Sequence, residues 1–161
     1  AIEDADPQAL AANRFDPEVW AREAKPAAEV ATRFADFLRR HASIECVSRA
    51  GNPYRVARLC GHNAASFDGP FLQAWYRRGK GFLPAHPLVL CTMQRALWHF
   101  QARDQAPENF KLSTLCKHFG ISLPAEAAHD ALADVRATMQ LAHALLVEEL
   151  LAGDAPMEVA S

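Results

Sequence analysis

Apolar residues recur at helical spacing in some parts of the chain and form short β-type segments in others. A helix is predicted over residues 26–41, because a proline such as Pro26 favours the first helical position. Another helix is predicted to begin after Asp130, a good N-cap residue, and to continue for about five turns. The residues predicted to face the core are Val30, Phe34, Phe37 and Leu38 in the first helix and Leu132, Val135, Met139, Ala142, Leu146 and Leu150 in the last.

Strands are predicted in two places. Two β-type segments within residues 44–59 flank the turn sequence at residues 50–53, which predicts a hairpin. The continuous apolar segment 87–91 is typical of a strand buried on both faces. A helix is predicted between them over residues 69–79, so strands and helices alternate as in the α/β class.

Two shorter helices complete this part of the prediction. Thr92 is expected to cap one of them, and residues 112–119 form the other, which Gly120 ends in the left-handed conformation. The residues of the Thr92 helix predicted to face the core are Met93, Ala96, Leu97 and Phe100.

The length of 161 residues, half of them apolar, favours one domain with its own core. Residues 1–25 are interpreted as an acidic lead segment in which Pro7 and Pro17 act as breakers. Residues 26–151 are interpreted as the domain, and residues 152–161 as a flexible tail.

Charge and cysteine content narrow the class of protein. The net charge of −2 excludes a global positive field, but residues 49–80 carry six basic residues against Asp68 alone. This block predicts either phosphate contact or a solvated basic face. The four cysteines are too widely spaced for a zinc knuckle, and they are expected to be buried thiols in a reducing compartment. Without a membrane span or secretory signal, a cytoplasmic location is expected.

Two short motifs carry candidate chemistry, at residues 61–68 and 129–134. On a continuous helix, His129 and Asp134 would point roughly 140° apart. If Asp130 caps the helix instead, His129 lies in the preceding loop, from which its imidazole can fold back over the carboxylate of Asp134. Asp130 then has a structural role and is not expected to bind a metal.

Three segments together resemble the DEDDh, or DnaQ-like, 3′-5′ exonucleases. They are Gly-His-Asn-x-x-x-Phe-Asp-x-x-Phe-Leu at residues 61–72, Leu-Cys-Lys-His-Phe-Gly-Ile at residues 115–121 and His-Asp-Ala-x-x-Asp at residues 129–134. The resemblance implies an RNase H-like exonuclease fold, with a mixed sheet flanked by helices. It also implies hydrolysis of phosphodiester bonds at nucleic-acid 3′ ends, with release of nucleoside monophosphates.

The resemblance assigns roles to three residues. Asp68 and Asp134 match metal ligands, and His129 matches the base that deprotonates the attacking water. The expected cofactors are two Mg²⁺ or Mn²⁺ ions, which prefer carboxylate oxygens. The expected partners are single-stranded 3′ ends, and the chain is expected to form a homodimer or to be a polymerase-associated subunit.

The first motif of the family, an Asp-x-Glu on the opening strand, has no match here. Residues 3–6 are acidic but lack the apolar β-type segment that would place them in a sheet. The N-terminal strands are therefore expected to be lacking in this chain, and an Asp-x-Glu strand is expected upstream of Ala1. Without that pair the chain alone is expected to be inactive.

Candidate substrate-binding residues surround the first motif, each with a structural alternative. They are Asn63, Phe67, Arg77, Arg78 and Lys80. The alternatives are that Asn63 ties down its loop, that Phe67 packs in the core and that the basic residues are merely solvated. Similarly, Asp68 is a possible helix cap. Phe71, Trp75 and Tyr76 are expected to pack rather than to stack on bases.

Two other classes of function remain open at this point. One is a DnaQ-like domain that has lost catalysis and binds nucleic acid or protein. The other is an HD-type metal phosphohydrolase built on His129 and Asp130, which requires an all-helical chain.

Overall fold

The computed structural model describes residues 5–12, 15–101, 103, 105–123 and 130–153. The helices in that part of the chain are α1 (Pro7–Ala12), α2 (Pro17–Glu23), α3 (Ala27–Arg40), α4 (Asp68–Arg78), α5 (Thr92–Phe100), α6 (Leu112–His118) and α7 (Ala131–Gly153). The strands are β1 (Ile44–Val47), β2 (Pro53–Val56), β3 (Cys60–Gly61) and β4 (Leu90–Cys91). Among the described residues, no helix has the length and apolar character needed to cross a bilayer.

The lead segment contains two short helices, so the prediction that Pro7 and Pro17 act as breakers is wrong. Each proline is the first residue of its helix. The Asp16 carboxylate accepts hydrogen bonds from the backbone N–H groups of Glu18 and Val19, at 2.8 and 3.1 Å. A proline at this position sacrifices no hydrogen bond, because the first N–H groups of a helix have no partner within the helix.

The strands form two small sheets with opposite pairing. β1 and β2 form the predicted antiparallel hairpin, with Ile44 opposite Val56, and Gly51 in its turn has a φ of 82°. β3 and β4 pair in parallel, and a parallel bridge joins Ala57 to Ala85. The α/β class is confirmed in the form of small sheets accompanied by helices.

The apolar segment 87–91 differs from its prediction. The strand β4 has two residues, and Leu88 and Leu90 are exposed rather than buried on both faces. In the described part of the chain, β4 has β3 as its only strand neighbour. The faces of a strand are covered by elements that pack on the sheet, and among the described residues no element covers Leu88 or Leu90 in this way.

The core lies where α5, α6 and α7 meet. Its fully buried members are Ala96, Phe100, Leu115, Leu141 and Leu145, and Phe110, Leu112, Phe119 and Ile121 pack around them. The short helix α6 ends as predicted, with Gly120 at a φ of 65°. Two of the four free cysteines, Cys91 and Cys116, are also buried, whereas Cys60 is exposed, contrary to the expectation of buried thiols.

The helix α7 begins where predicted but buries a different face. Ala137, Leu141 and Leu145 are buried. The predicted core residues Leu132, Val135 and Met139 are exposed by 56%, 63% and 65%, respectively, and Leu146 and Leu150 are exposed as well. Both faces are apolar at helical spacing, so periodicity does not show which one meets α5 and α6.

The other two amphipathic helices show smaller errors of the same kind. In α3, Leu38 and Ala35 are buried, whereas the predicted core residues Val30 and Phe37 are exposed. In α5, Leu97 is exposed. Thr92 does not cap α5, because it is the first helical residue and its hydroxyl bonds to a side chain outside the helix.

A buried histidine lies between α5 and α7. The Nε2 atom of His99 is 2.9 Å from a Glu148 carboxylate oxygen, and its ring packs edge-on against Phe100. Burial lowers the pKa of His99 and the positive charge of Arg103 acts in the same direction, whereas Glu148 opposes them. His99 is therefore a neutral side chain in the folded protein near pH 7.

We expect His99 to make the fold less stable in mild acid. Its pKa is about 6.5 in the unfolded chain and lower in the fold. Below that pH the unfolded chain binds a proton that the fold does not, so the free energy of unfolding falls by up to about 1.4 kcal/mol per pH unit. Urea unfolding between neutral and mildly acid pH will show this slope. The His99→Gln variant will show a shallower slope, and equal slopes would contradict the assignment.

Alanine substitution of two leucines tests which face of α7 is buried. Leu141→Ala removes a fully buried side chain and should lower the free energy of unfolding by about 2–5 kcal/mol. Leu150→Ala, the matched control on the exposed side, should change it by less than about 0.5 kcal/mol. Denaturant titration of both variants measures the difference. Similar losses would mean that the buried face has been assigned incorrectly.

Candidate functional site

The first motif forms a tight loop between β3 and α4. A Cβ atom at Gly61 would lie 2.6 Å from the Cβ of Ala64, so this position has no room for a side chain. Asn63 is left-handed, with a φ of 57°, and its carbonyl accepts hydrogen bonds from Ser66 and Phe67, both at 3.1 Å. The loop therefore turns the chain within a few residues and delivers Asp68 to the start of α4.

His62 connects this loop to two other segments of the chain. Its Nε2 atom is 3.0 Å from the carbonyl oxygen of Phe110, and its Nδ1 atom is 2.9 Å from the hydroxyl of Thr92. Because a carbonyl only accepts, Nε2 is the donor, and in the neutral ring Nδ1 accepts from Thr92. From the sequence alone, His62 has no assigned role. The available signal was its position directly after a strand.

Asp134 lies in the first turn of α7, as predicted. The carboxylate of Asp130 caps this helix by accepting hydrogen bonds from Leu132 and Ala133, at 3.0 and 2.9 Å. Burial lowers the pKa of His62, and this effect is opposed by its hydrogen bond to Phe110 and by the negative charge of Asp134. The structure thus brings the second motif close to the first through His62.

A cavity of about 690 Å³ opens beside Asp134. Its polar lining comes from His62, Asn63, Lys111, Ser113 and Asp134, and its apolar lining from Met93, Phe110, Leu112 and Leu123. Volumes of this size are typical of small-molecule sites. This lining suits a partly apolar group that also carries polar or charged atoms.

Asp68 is exposed and is already part of α4. The N-cap position of α4 is Phe67, so Asp68 is not the cap. Within the described part of the chain, its carboxylate has no hydrogen bond or ion pair. It does not line the cavity beside Asp134, and His129 lies outside the described residues. The convergence of these three side chains on one metal centre therefore stays a prediction.

Aromatic side chains on α4 are more exposed than predicted. Phe67 and Phe71 are exposed by 56% and 64%, and their ring centroids are 4.7 Å apart. The expectation that Phe71 packs is therefore wrong, and so is the alternative that Phe67 packs in the core. Tyr76 does pack, and its hydroxyl donates to the carbonyl oxygen of Ala31 at 2.5 Å.

The three basic residues at the end of α4 are accessible to a ligand. Arg77, Arg78 and Lys80 are exposed, and none of them has an ion pair with another described residue. Among the described residues, there is also no cluster of three or more metal-ligating side chains. The described residues thus supply single carboxylates and exposed basic side chains rather than a complete metal centre.

Comparison with known proteins identifies the class. Residues 52–142 match the RNase T family, described as an exonuclease family. The match covers more than half of the chain, so the chain belongs to the RNase T exonuclease family, which confirms the DnaQ-like resemblance. The strands of the fold exclude the all-helical chain that an HD-type phosphohydrolase requires.

One relative extends this finding. The chain is 41% identical over 88 residues to a Mycobacterium tuberculosis (strain CDC 1551 / Oshkosh) protein whose name describes a bifunctional exonuclease/endonuclease. The aligned segment covers 55% of this chain and 13% of that protein. The chain therefore spans a small part of the relative's length.

The left-handed conformation of Asn63 leads to a stability prediction. Alanine is strained at a φ of 57°, whereas glycine is not. We expect Asn63→Ala to unfold with a free energy about 1 kcal/mol lower than Asn63→Gly. Both variants lose the same side-chain amide, so denaturant titration of the pair isolates the backbone effect. Equal stabilities would show that the loop relaxes out of this conformation.

Proposed function

We propose that this protein is a metal-dependent 3′-5′ exonuclease of the DEDDh type on an RNase H-like fold, which releases nucleoside monophosphates from single-stranded 3′ ends. The observation that carries the proposal is the cavity in which Asp134 of the second motif meets His62 and Asn63 of the first. These motifs are far apart in sequence. Family membership supports nuclease chemistry at the place where they meet.

The cavity suits the terminal nucleoside of the substrate. Its apolar walls, including Met93 and Phe110, can enclose a base and sugar, and the Lys111 ammonium can contact a phosphate as a point charge. The hydrogen bond from His62 to Phe110 holds one wall in place. The chain thus binds and orients the group that is to be removed.

The carboxylates have the donor chemistry that Mg²⁺ or Mn²⁺ requires. Asp68 and Asp134 are proposed as ligands, and the Asp68 carboxylate has no other partner within the described residues. When bound, two such ions would stabilise the attacking and leaving oxygens of an in-line displacement. Two carboxylates are too few for two ions, so we propose that an Asp-x-Glu strand completes the centre beside β3.

The proposed location of that strand rests on exposed apolar residues. Leu88 before β4 and Leu90 in it, together with Leu132, Val135 and Met139 of α7, are exposed large side chains, and β3 contacts α7. A strand added to β3 would pair the edge that has no strand neighbour among the described residues and would cover apolar surface of this kind. The added strand would also place its Asp and Glu side chains next to the end of β3, where the loop of residues 61–68 begins.

The proton is proposed to move through His129. An imidazole with a pKa near 6.5 accepts a proton at neutral pH, and His129 directly precedes the cap residue Asp130. His129 would take the proton of the attacking water as a new P–O bond forms and the 3′ oxygen of the preceding nucleotide leaves. Arg77, Arg78 and Lys80 would contact backbone phosphates, and the exposed ring of Phe67 would contact a base.

The cellular location and the assembly of the protein are proposed from its activity and its exposed surface. An enzyme that trims 3′ ends acts where nucleic acid is handled, and we propose a cytoplasmic location. A homodimer or a polymerase-associated assembly is proposed as its form, and the exposed apolar residues of α7 would be available for such contacts.

The activity is tested with a 3′-labelled single strand and Mn²⁺, using the protein as its gene encodes it. We expect release of labelled mononucleotide. His129→Ala, Asp68→Asn and Asp134→Asn should each reduce the rate by about 100-fold or more, because they remove the base or a metal ligand. Release of labelled oligonucleotides instead would indicate endonuclease cleavage and contradict the proposed direction.

Asp130→Asn is the matched control. It removes one charge beside His129, but an asparagine oxygen can still cap α7, so activity should be retained. If Asp130→Asn abolishes activity and Asp134→Asn does not, the assignment of the metal ligands is wrong. Tight binding of the strand without any release would favour a DnaQ-like binding module.

A further inference from the structure

A second cavity, of about 530 Å³, lies between α3 and the C-terminal end of α4. Four alanines of α3 and two glycines after α4 leave space for it. Trp75 and Phe82 contribute aromatic side chains to its lining, and Arg39 and Arg78 contribute positive charge. Among the described residues, no acidic side chain lines it.

The two arginines differ in their freedom to bind a ligand. Arg39 pairs with Asp36 at 2.7 Å on the exposed surface of α3, an interaction that stabilises little. Arg78 has no ion pair among the described residues, and it is exposed at the mouth of the cavity. Residues 69–103 contain no aspartate or glutamate. The charge around this cavity is therefore complementary to an anion.

The helix α4 connects this cavity to the proposed active site. At about 100° per residue, Phe71, Trp75 and Arg78 lie within one sector of the helix surface, and the ring of the N-cap residue Phe67 is 4.7 Å from that of Phe71. Phe67 and Phe71 are exposed next to Asp68, and Trp75 follows Asp68 by about 10 Å along the axis. Aromatic rings along one face, combined with positive charge, are a usual platform for single-stranded nucleic acid.

We propose that the α3/α4 cavity is a subsite for the body of the single strand, upstream of the 3′ end that is cleaved. A base stacks against Trp75 and Phe82, and a backbone phosphate lies between Arg78 and Arg39. The strand reaches this subsite by running along α4 over Phe71 and Phe67. The proposal deepens the proposed function and rests on it for the direction of the strand.

The subsite predicts a dependence on strand length. A strand of two nucleotides held at the active site spans about 7 Å when its bases are stacked and ends before the cavity, whereas one of about 12 nucleotides crosses it, as in single-strand-binding domains with footprints of that order. Binding of the longer strand should therefore depend on Trp75 and Arg78. Binding of the shorter strand should not.

The experiment measures the Kd of 5′-fluorescein oligothymidylate and oligouridylate of both lengths by anisotropy, in EDTA to prevent cleavage, with the protein as its gene encodes it. We expect Trp75→Ala and Arg78→Gln each to weaken binding of the longer strand about tenfold. Trp75→Phe should restore most of the affinity. Arg78→Gln should also lower the slope of log Kd against log salt by about 0.7.

Arg39 and Arg40 provide a matched pair of controls. Both are exposed on the last turn of α3, but only Arg39 lines the cavity. Arg39→Gln should weaken binding of the longer strand, and Arg40→Gln should leave it unchanged. Equal effects of the two variants, or equal losses for both strand lengths, would overturn the subsite.

Other results separate this proposal from its alternatives. Binding of a polyglutamate peptide that depends on Arg78, with oligonucleotide binding unchanged, would assign an acidic protein partner and overturn the subsite. Mononucleotide release without any effect of Trp75 or Arg78 on binding would overturn the subsite alone. Strand binding that depends on the cavity, without mononucleotide release, would support the subsite and overturn the proposed function.

Discussion

The packing of α7 against α5 and α6 is the constraint on which the candidate site depends. Leu141 and Leu145 are completely buried against Leu115 and Phe100, and their positions fix both the rotation and the axial position of the helix. Asp134 is about two turns before Leu141 on the same rigid element. Apolar contacts remote from the chemistry therefore decide where this carboxylate points, and the Asp130 cap holds the first turn that carries it.

The other side of the site depends on His62. Its two ring nitrogens form hydrogen bonds to the start of α5 and to the segment before α6. The side chain of His62, at the end of β3, therefore links three segments that are distant in sequence. Closing such long loops costs conformational entropy. That cost is met by the core that α5, α6 and α7 form together, and His62 then only has to align segments that are already close.

The sequence was sufficient for features that depend on neighbouring residues. Asp130 caps α7, Gly51 and Gly120 adopt positive φ, and the hairpin has its predicted turn, because local backbone chemistry determines each of these. The sequence was insufficient for features that depend on contacts between residues far apart in the chain. The buried face of α7 depends on which helices lie beside it, and the partner of His62 is 48 residues away. No periodic pattern contains that information.

The exposed face of α7 links the stability of this domain to its chemistry. Leu132 and Val135 flank Asp134 in sequence and are exposed, whereas Asp134 itself is partly buried. A strand or partner that covers these side chains would remove water from around the carboxylate. Desolvation alone disfavours an ionised aspartate, and a bound cation reverses that preference because charge interactions strengthen as the local dielectric constant falls. Covering α7 and binding a metal at Asp134 should therefore favour each other, so that the proposed metal centre forms only in the fully assembled fold.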